Sequence, residues 1–232
     1  WHCGLPFETF PSAKRFVNSS NRFRQAFSHI KDKSIKILII SFAKYDDAWP
    51  RDFKKFQRRL SFLRNPDPKF FQAPLDKKEL TKLFKTCKLI IFTGGSELTF
   101  LKNMSKIKFD LTEKHLINKT ILGTSSGTNI LSKYYFSNDR NELGKGLGFV
   151  NLKTICHYSD EKLNRLKKLY CYKKDKGIPT VTIREGEFIE IYQWLKSMEV
   201  LVLYLELVYH LLRGTWRSQQ LDLLFIIMHI TD

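Results

Sequence analysis

The sequence predicts an α/β fold, built on a doubly wound and mostly parallel sheet with helices on both faces. Two apolar, β-branched runs, at residues 35–42 and 88–92, are typical of strands that are buried on both sides of such a sheet. Segments with helical spacing separate and follow these runs, and this alternation favours an open sheet. Because ligands of open α/β sheets bind outside the carboxyl ends of the strands, the loops after the strands are the first candidates for functional residues.

Four segments have the apolar spacing of amphipathic helices, namely residues 52–63, 76–84, 99–104 and 111–117. The second of them begins with Asp76, an acidic residue of a type that caps helices. Short strands are predicted near Phe70, at residues 120–122 and at residues 149–155. A chain of 232 residues is long enough for one substantial core, and we expect one main domain.

Residues 123–127 read Gly-Thr-Ser-Ser-Gly and lie between a predicted strand and a helix that is predicted to run to Tyr135. Glycines two positions on either side of Ser125 allow the sharp turn that exposes a serine hydroxyl. The N–H groups that open the next helix can stabilise an oxyanion. The same pattern also occurs in ordinary strand-to-helix loops, so it predicts a nucleophile only together with other elements.

A second glycine loop, Gly94 and Gly95, follows the strand at residues 88–92. Since both loops follow strands of one predicted sheet, we expect them at the same edge. Paired glycines let backbone N–H groups come close to a ligand oxygen, although they also form plain turns at strand ends.

His157 follows the predicted strand at residues 149–155 and is the candidate base for Ser125. A serine hydroxyl needs a neighbouring base, and histidine is the usual one because its reference pKa lies near ~6.5. A third group must hold the imidazole in the right tautomer. Asp139 is the first candidate for that part and Glu185 the second.

The chain is strongly basic, with 40 Lys and Arg against 23 Asp and Glu and a formal net charge of +17. Such a charge favours weak association with nucleic acid, anionic lipid or acidic substrates. However, the basic residues alternate with apolar ones as on solvated helix faces, and no nucleic-acid-binding motif accompanies them. We therefore expect no specific nucleic acid partner.

The four cysteines have no metal-ligand spacing with the six histidines, so we expect neither a metal nor a cofactor. They fit a reducing compartment, and no signal-peptide pattern opens the printed sequence. The expected location is cytoplasmic.

The order of these elements resembles the peptidase E family of serine peptidases, which includes aspartyl dipeptidases and the related cyanophycinases. The resemblance spans about residues 18–191, and its matching elements are the strand ending at Ser41, residues 94–95, 123–127 with Asn129, 137–139, 146–148, 157–158 and 184–186. It implies a fold like that of class I glutamine amidotransferases. It also implies that Ser125 is the nucleophile and His157 the general base, with the N–H groups of Gly95 and Ser126 as the oxyanion hole.

The family is described with either Asp or Glu as third member, and Asp139 and Glu185 stand at the matching places. Of these two we favour Asp139. Arg184 matches the basic residue that would meet the carboxylate of an N-terminal Asp, although it also fits a surface Arg before a strand. Position 126 is Ser where the commonest family motif has Ala, a small departure that leaves the turn sterically reasonable.

We predict a hydrolase domain at residues 1–191 and a C-terminal extension of uncertain role at residues 192–232. The extension has three Lys and Arg against four Asp and Glu, so it lacks the positive excess of the rest. Its apolar stretches fall short of the roughly 20 residues of a membrane span. A packed apolar helical extension is favoured, followed by an oligomer or membrane-surface contact, and then by sequence foreign to the family.

The expected function is that of a serine peptidase for short peptides, including dipeptides with an N-terminal Asp, acting through an acyl-enzyme on Ser125. Two alternatives stay open. One is a cyanophycinase-like hydrolase of an amide-linked polymer, and the other is a catalytically silent basic module that binds polyanions.

Overall fold

The computed structural model describes residues 35–60, 68–172, 177–185, 187–194 and 225–231. The strands of these ranges are β1 Lys36–Ile40, β2 Lys69–Gln72, β3 Leu89–Phe92, β4 Lys119–Thr124, β5 Ser132–Ser137, β6 Glu142–Lys145, β7 Val150–Cys156, β8 Thr180–Ile183, β9 Phe188–Trp194 and β10 Phe225–Thr231. The α-helices are α1 Trp49–Arg59, α2 Lys77–Thr86, α3 Glu97–Ile107, α4 Ser126–Leu131 and α5 Leu163–Cys171.

The strands form two sheets, and the predicted α/β fold with mostly parallel strands is confirmed. The larger sheet has the order β2-β1-β3-β4-β10-β9 and the smaller one the order β6-β5-β7-β8. Among the described strands only the β4–β10 and β5–β6 pairs are antiparallel. The carboxyl ends of β1, β3 and β4 therefore lie at one edge of the larger sheet, where the glycine loops were expected.

Helices cover both faces of the larger sheet. Successive side chains of β1 point to opposite faces, and each set packs against helices on its own side. Leu38 and Ile40 pack in one apolar cluster with residues of α2 and α3. Ile37 and Ile39 pack in another, with Phe56 of α1. Asp76 caps α2 as predicted, since its carboxylate accepts a hydrogen bond of 2.8 Å from the Glu79 N–H.

The prediction of a helix up to Tyr135 was wrong, because α4 ends at Leu131 and β5 begins at Ser132. Six helical residues span only about 9 Å. A strand parallel to β4 would have to start at the opposite edge of the sheet, and the connection back to that edge takes roughly a dozen residues. The chain therefore cannot add the next parallel strand beside β4 and begins a second sheet instead.

The helix predicted at residues 111–117 is a single 3-10 turn, Glu113–His115. Lys108, in the left-handed conformation, ends α3, and the Thr112 side chain and the His115 ring form a capping box around the short turn. The buried side chains Leu111 and Leu116 anchor the turn at both ends.

The expectation of a helical C-terminal extension is wrong for the parts of it that the structure describes. Residues 192–194 complete β9, and residues 225–231 form β10 between β4 and β9. The β-branched composition of this segment favours a strand, and the free edge of β4 offers an antiparallel partner. Residues 195–224 lie outside the described residues, and the division at residue 191 stays a prediction. None of the described helices has the length and apolarity to cross a membrane.

Candidate active site

Ser125 lies on the turn between β4 and α4 with φ 51° and ψ −117°. Non-glycine residues at positive φ are uncommon and are concentrated at functional sites. A Cβ at Gly127 would lie 2.1 Å from the carbonyl oxygen of Phe92, and one at Gly123 would lie 2.9 Å from Thr128 Cα. Glycine is therefore required at both positions for the turn to pack, as the spacing predicted.

His157 follows β7 directly, and its Nε2 lies 2.8 Å from Ser125 Oγ. Its backbone also has a positive φ, of 53°. The Lys162 ammonium donates a hydrogen bond to the His157 carbonyl oxygen. The ring is therefore within hydrogen-bond reach of the candidate nucleophile.

The other ring nitrogen of His157, Nδ1, contacts Glu185 Oε1. Since a carboxylate can only accept, the Nδ1 atom carries the proton in this contact, and Nε2 of a neutral ring is left to accept from the Ser125 hydroxyl. The structure thus brings Ser125, His157 and Glu185 into one hydrogen-bonded chain.

The two candidate carboxylates flank β7 from opposite sides. On one side β8 pairs with β7 so that Cys156 lies beside Ile183, which places Glu185 next to His157. On the other side β5 leads to Asn138, whose side chain donates to the Cys156 carbonyl. Asp139 lies one residue further on, exposed, and the structure does not bring it to the imidazole.

The Gly94–Gly95 loop packs directly against the serine. A Cβ at Gly94 would lie 3.1 Å from Ser125 Cβ, and one at Gly95, where φ is 149°, would lie 2.2 Å from the Ala43 carbonyl oxygen. The next N–H, that of Ser96, donates to this same carbonyl at 2.7 Å. Among the described residues, the N–H groups of Gly95 and Ser126 have no hydrogen-bond acceptor. Both glycine loops therefore share one sheet edge, as expected.

Arg184 precedes Glu185 and is about two-fifths exposed. Its Nη2 lies 2.5 Å from Asp160 Oδ1, and its guanidinium carbon lies 5.3 Å from the centre of the Tyr158 ring. Both partners come from the loop that begins at His157. The guanidinium is therefore held against this loop and is open to solvent.

Behind Ser125 lies a buried polar cluster whose role the sequence did not indicate. Its members are Glu97, Asn129, Ser137, Thr154 and Cys156. Burial, and after it the charges of Glu97 and Glu185, raise the pKa of the Cys156 thiol well above its ordinary value. This thiol stays protonated and is no rival to Ser125. The signals in the sequence were Asn129 and Ser137, which match the family pattern, and an acidic residue two positions after Gly95.

No group of three His, Cys, Asp or Glu side chains that could hold a metal ion occurs within the described ranges.

The model for peptidase family S51 matches residues 17–194. Two similar solved structures are a peptidase from an acI-B1 Actinobacterium and a protein from Listeria monocytogenes EGD-e that carries the name peptidase E. The first is 16% identical, covers 73% of this chain and 73% of its own, and has a TM-score of 0.44. The second is 16% identical, covers 71% of this chain and 84% of its own, and has a TM-score of 0.47. No curated protein matches the chain. The family match confirms the resemblance to peptidase E, and the chain belongs to peptidase family S51 and is a serine peptidase.

Proposed function

We propose that this peptidase hydrolyses short peptides through an acyl-enzyme on Ser125, with His157 as general base. The observation that carries the proposal is the hydrogen-bonded chain from Ser125 Oγ through the His157 ring to Glu185. A hydroxyl at 2.8 Å from an imidazole nitrogen is at the distance that proton transfer needs. The side chain of Ser125 does not cap α4, which leaves its hydroxyl available to His157.

In the first half of the reaction, Ser125 Oγ attacks the scissile carbonyl carbon while its proton moves to His157 Nε2. The carbonyl oxygen becomes an oxyanion, and the N–H groups of Gly95 and Ser126 stabilise it. The imidazolium then gives its proton to the leaving amine, and the acyl-enzyme remains.

In the second half, water attacks the acyl-enzyme carbonyl and gives its proton to His157 Nε2. The second tetrahedral intermediate collapses, the proton returns to Ser125 Oγ, and the carboxylic acid product leaves. Glu185 accepts the hydrogen bond from Nδ1 and stabilises the imidazolium that forms twice per cycle.

We assign the third place to Glu185 rather than to Asp139. The contact between Glu185 and Nδ1 supports this assignment, and so does the exposed position of Asp139 in the turn after β5. The choice reverses the preference drawn from the sequence.

Arg184 is the proposed binding residue for an acidic substrate side chain, so dipeptides with an N-terminal Asp are the preferred substrates. Its guanidinium is held against the loop that begins at His157, and only one of its nitrogens is used in the Asp160 contact. Asp160 is 81% exposed, so a substrate carboxylate can compete with it for the guanidinium.

Hydrolysis of an amide-linked polymer, as in cyanophycinases, is the second candidate. The openness of the site favours it, since the side chains of His157 and Glu185 are 38% and 48% exposed. A long chain could therefore reach Ser125 without entering a closed pocket.

The deciding experiment compares purified wild-type protein with Ser125→Ala and with Ser105→Ala, a matched change of an exposed serine on α3. Activity is measured on Asp-Leu, on Leu-Leu and on an aspartate-backbone polymer, and Ser125 is tested for labelling by a fluorophosphonate. Wild type and Ser105→Ala should hydrolyse Asp-Leu and become labelled, whereas Ser125→Ala should do neither. Unchanged hydrolysis in Ser125→Ala would overturn the mechanism. Salt-sensitive binding to random duplex DNA without any labelling would favour the silent polyanion-binding module.

The proposal includes a cytoplasmic location, which the free thiols of the buried Cys87 and Cys156 support. Fractionation of cells that express the chain, with immunodetection in each fraction, tests the location. An oligomer contact through residues 192–232 is a separate expectation, and light scattering of the purified chain tests it.

A further inference from the structure

Glu97 is a buried acidic residue at the start of α3, two positions after Gly95. It is 5% exposed, although a carboxylate is costly to bury unless its oxygens are hydrogen-bonded. Asn129 Nδ2 donates to Oε1 at 2.8 Å, and Ser137 Oγ donates to Oε2 at 3.2 Å. The Arg140 guanidinium lies 3.7 Å from Oε2. Each oxygen of Glu97 therefore has its own partner.

Asn129 receives further hydrogen bonds on its carbonyl side. Thr154 Oγ1 and Cys156 Sγ both donate to Oδ1, each at 3.2 Å. Its backbone N–H donates to the Ser125 carbonyl oxygen at 3.2 Å. The amide is therefore held in one orientation, with its NH2 group towards Glu97 and its oxygen towards β7.

The hydrogen-bonded pair of Glu97 and Asn129 connects the three segments that carry the proposed catalytic groups. Glu97 lies next to the Gly94–Gly95 loop, Asn129 lies one helical turn after Ser125, and Cys156 directly precedes His157. Ser125 and His157 follow strands of different sheets, so no strand pairing sets the distance between them. Buried hydrogen bonds across this gap are well suited to set it.

We propose that Glu97 and Asn129 are positioning residues that hold the oxyanion loop, Ser125 and His157 in register. The proposal rests on the serine peptidase mechanism given above. Neither side chain touches the reacting atoms, so substrate binding should not depend on them. A shift of about 1 Å among catalytic groups can cost roughly 100-fold in rate, and loss of the bond between them should therefore lower kcat with little change in KM.

The test exchanges the donor and the acceptor of the bond. Asn129→Asp sets two carboxylates against each other, whereas Thr154 and Cys156 can still donate to it. The double variant adds Glu97→Gln to this change. The side-chain amide at position 97 can then donate to the carboxylate at position 129 while its oxygen still accepts from Ser137, so one donor again faces one acceptor. We expect kcat to fall by roughly 100-fold in Asn129→Asp and to return to within about fivefold of wild type in the double variant. The rate of fluorophosphonate labelling should follow kcat.

Ser137→Ala is the milder variant, since it removes only the bond at Oε2. It should keep the wild-type melting temperature within a few degrees and lower kcat about three- to tenfold at constant KM. Glu79→Gln, which changes an exposed acid in the first turn of α2, is the matched control. Circular dichroism establishes that each variant is folded.

The outcomes separate this inference from the function on which it rests. If wild type neither hydrolyses peptides nor reacts with the fluorophosphonate, the proposed function and the positioning role are both overturned. If wild type does both while Asn129→Asp and Ser137→Ala equal it in kcat, the positioning role alone is overturned. The positioning role is also overturned if the double variant has no higher kcat than a folded Asn129→Asp variant.

Discussion

His157 Nε2 lies 2.8 Å from Ser125 Oγ, although one residue follows a strand of the smaller sheet and the other a strand of the larger. The proposed catalytic groups therefore meet where the two sheets adjoin. Apolar residues of β7, such as Leu152, share one core cluster with Ile121 of β4 and support this junction. Activity should accordingly respond to changes on either side of it.

Glu185 should be essential and Asp139 dispensable. Loss of the Glu185 carboxylate removes the group that fixes the ring tautomer and stabilises the imidazolium. We expect Glu185→Gln to lower kcat by roughly 10²- to 10⁴-fold, whereas Asp139→Asn stays within about twofold of wild type. Steady-state kinetics on a dipeptide measures both. The opposite ranking of the two variants would return the third place to Asp139.

The sequence predicted this part of the site only as a pair of alternatives, and the sheet explains why. Both carboxylates follow strands that flank β7, β5 on one side and β8 on the other. The linear pattern makes each of them a candidate, but which carboxylate reaches the His157 ring depends on how the strands pack. The serine turn was predictable because its requirement is local, namely glycine at positions 123 and 127.

The second sheet and the buried role of Glu97 were beyond the sequence for related reasons. Apolar residues after Ser125 fit a long helix as well as a short helix followed by β5, and only the packed chain separates these. An acidic residue in the first turn of a helix is usually an exposed partner of the helix dipole. The partners of Glu97 come from Asn129 and Ser137, which are far away in sequence.

Gly95→Ala should lower catalysis by moving the proposed oxyanion loop. The new Cβ would lie 2.2 Å from the Ala43 carbonyl oxygen at a φ of 149°, which side chains rarely adopt. Loss of one oxyanion donor typically costs 10²- to 10³-fold in kcat, and we expect a fall of that order.

Gly177→Ala is the control for this change, because Gly177 also has a positive φ but no atom within 4 Å of its added Cβ. It should cost stability of about 1 kcal/mol and leave kcat unchanged. Full activity in Gly95→Ala would show that this loop does not supply an oxyanion donor.

Arg184→Met should change substrate preference rather than the chemical step. Without the guanidinium, the acidic side chain of an Asp-X dipeptide loses a charge-assisted contact, and we expect its KM to rise at least about tenfold. The KM for Ala-X dipeptides should stay the same. Arg51→Ala, on the exposed face of α1, controls for net charge. An equal loss on both substrates would contradict a binding role for Arg184.

Cys156 should make the protein less stable at alkaline pH. Burial, followed by the charges of Glu97 and Glu185, raises the pKa of its thiol well above the ordinary 9.0. Above about pH 9 the unfolded thiol loses its proton while the folded one keeps it, so the unfolded state binds fewer protons and stability falls as pH rises. Cys156→Ala should therefore lose less free energy of unfolding between pH 7.5 and 10 than wild type.

The exposed Ser105 provides the comparison, since Ser105→Ala removes no thiol and should retain the wild-type pH dependence. Urea unfolding at the two pH values gives both differences. Identical slopes in wild type and Cys156→Ala would argue against a shifted thiol.

Lys153 should contribute stability without contributing to catalysis. It is 2% exposed on β7, and its ammonium donates to the carbonyl oxygens of Tyr170 and Tyr172 at 3.0 and 2.6 Å. These carbonyls lie at the end of α5, where a positive charge also meets the negative end of the helix dipole. Lys153→Met leaves them without this donor and should lower the free energy of unfolding by about 1–3 kcal/mol.

Lys167→Met, which changes an exposed lysine on α5, is the control and should have little effect on stability. Both variants should keep the wild-type kcat at a temperature where they are folded. Of these two lysines, Lys153 is the one whose ammonium contacts the carbonyl oxygens at the end of α5. Equal urea midpoints for the two variants would therefore rule out a capping role for Lys153.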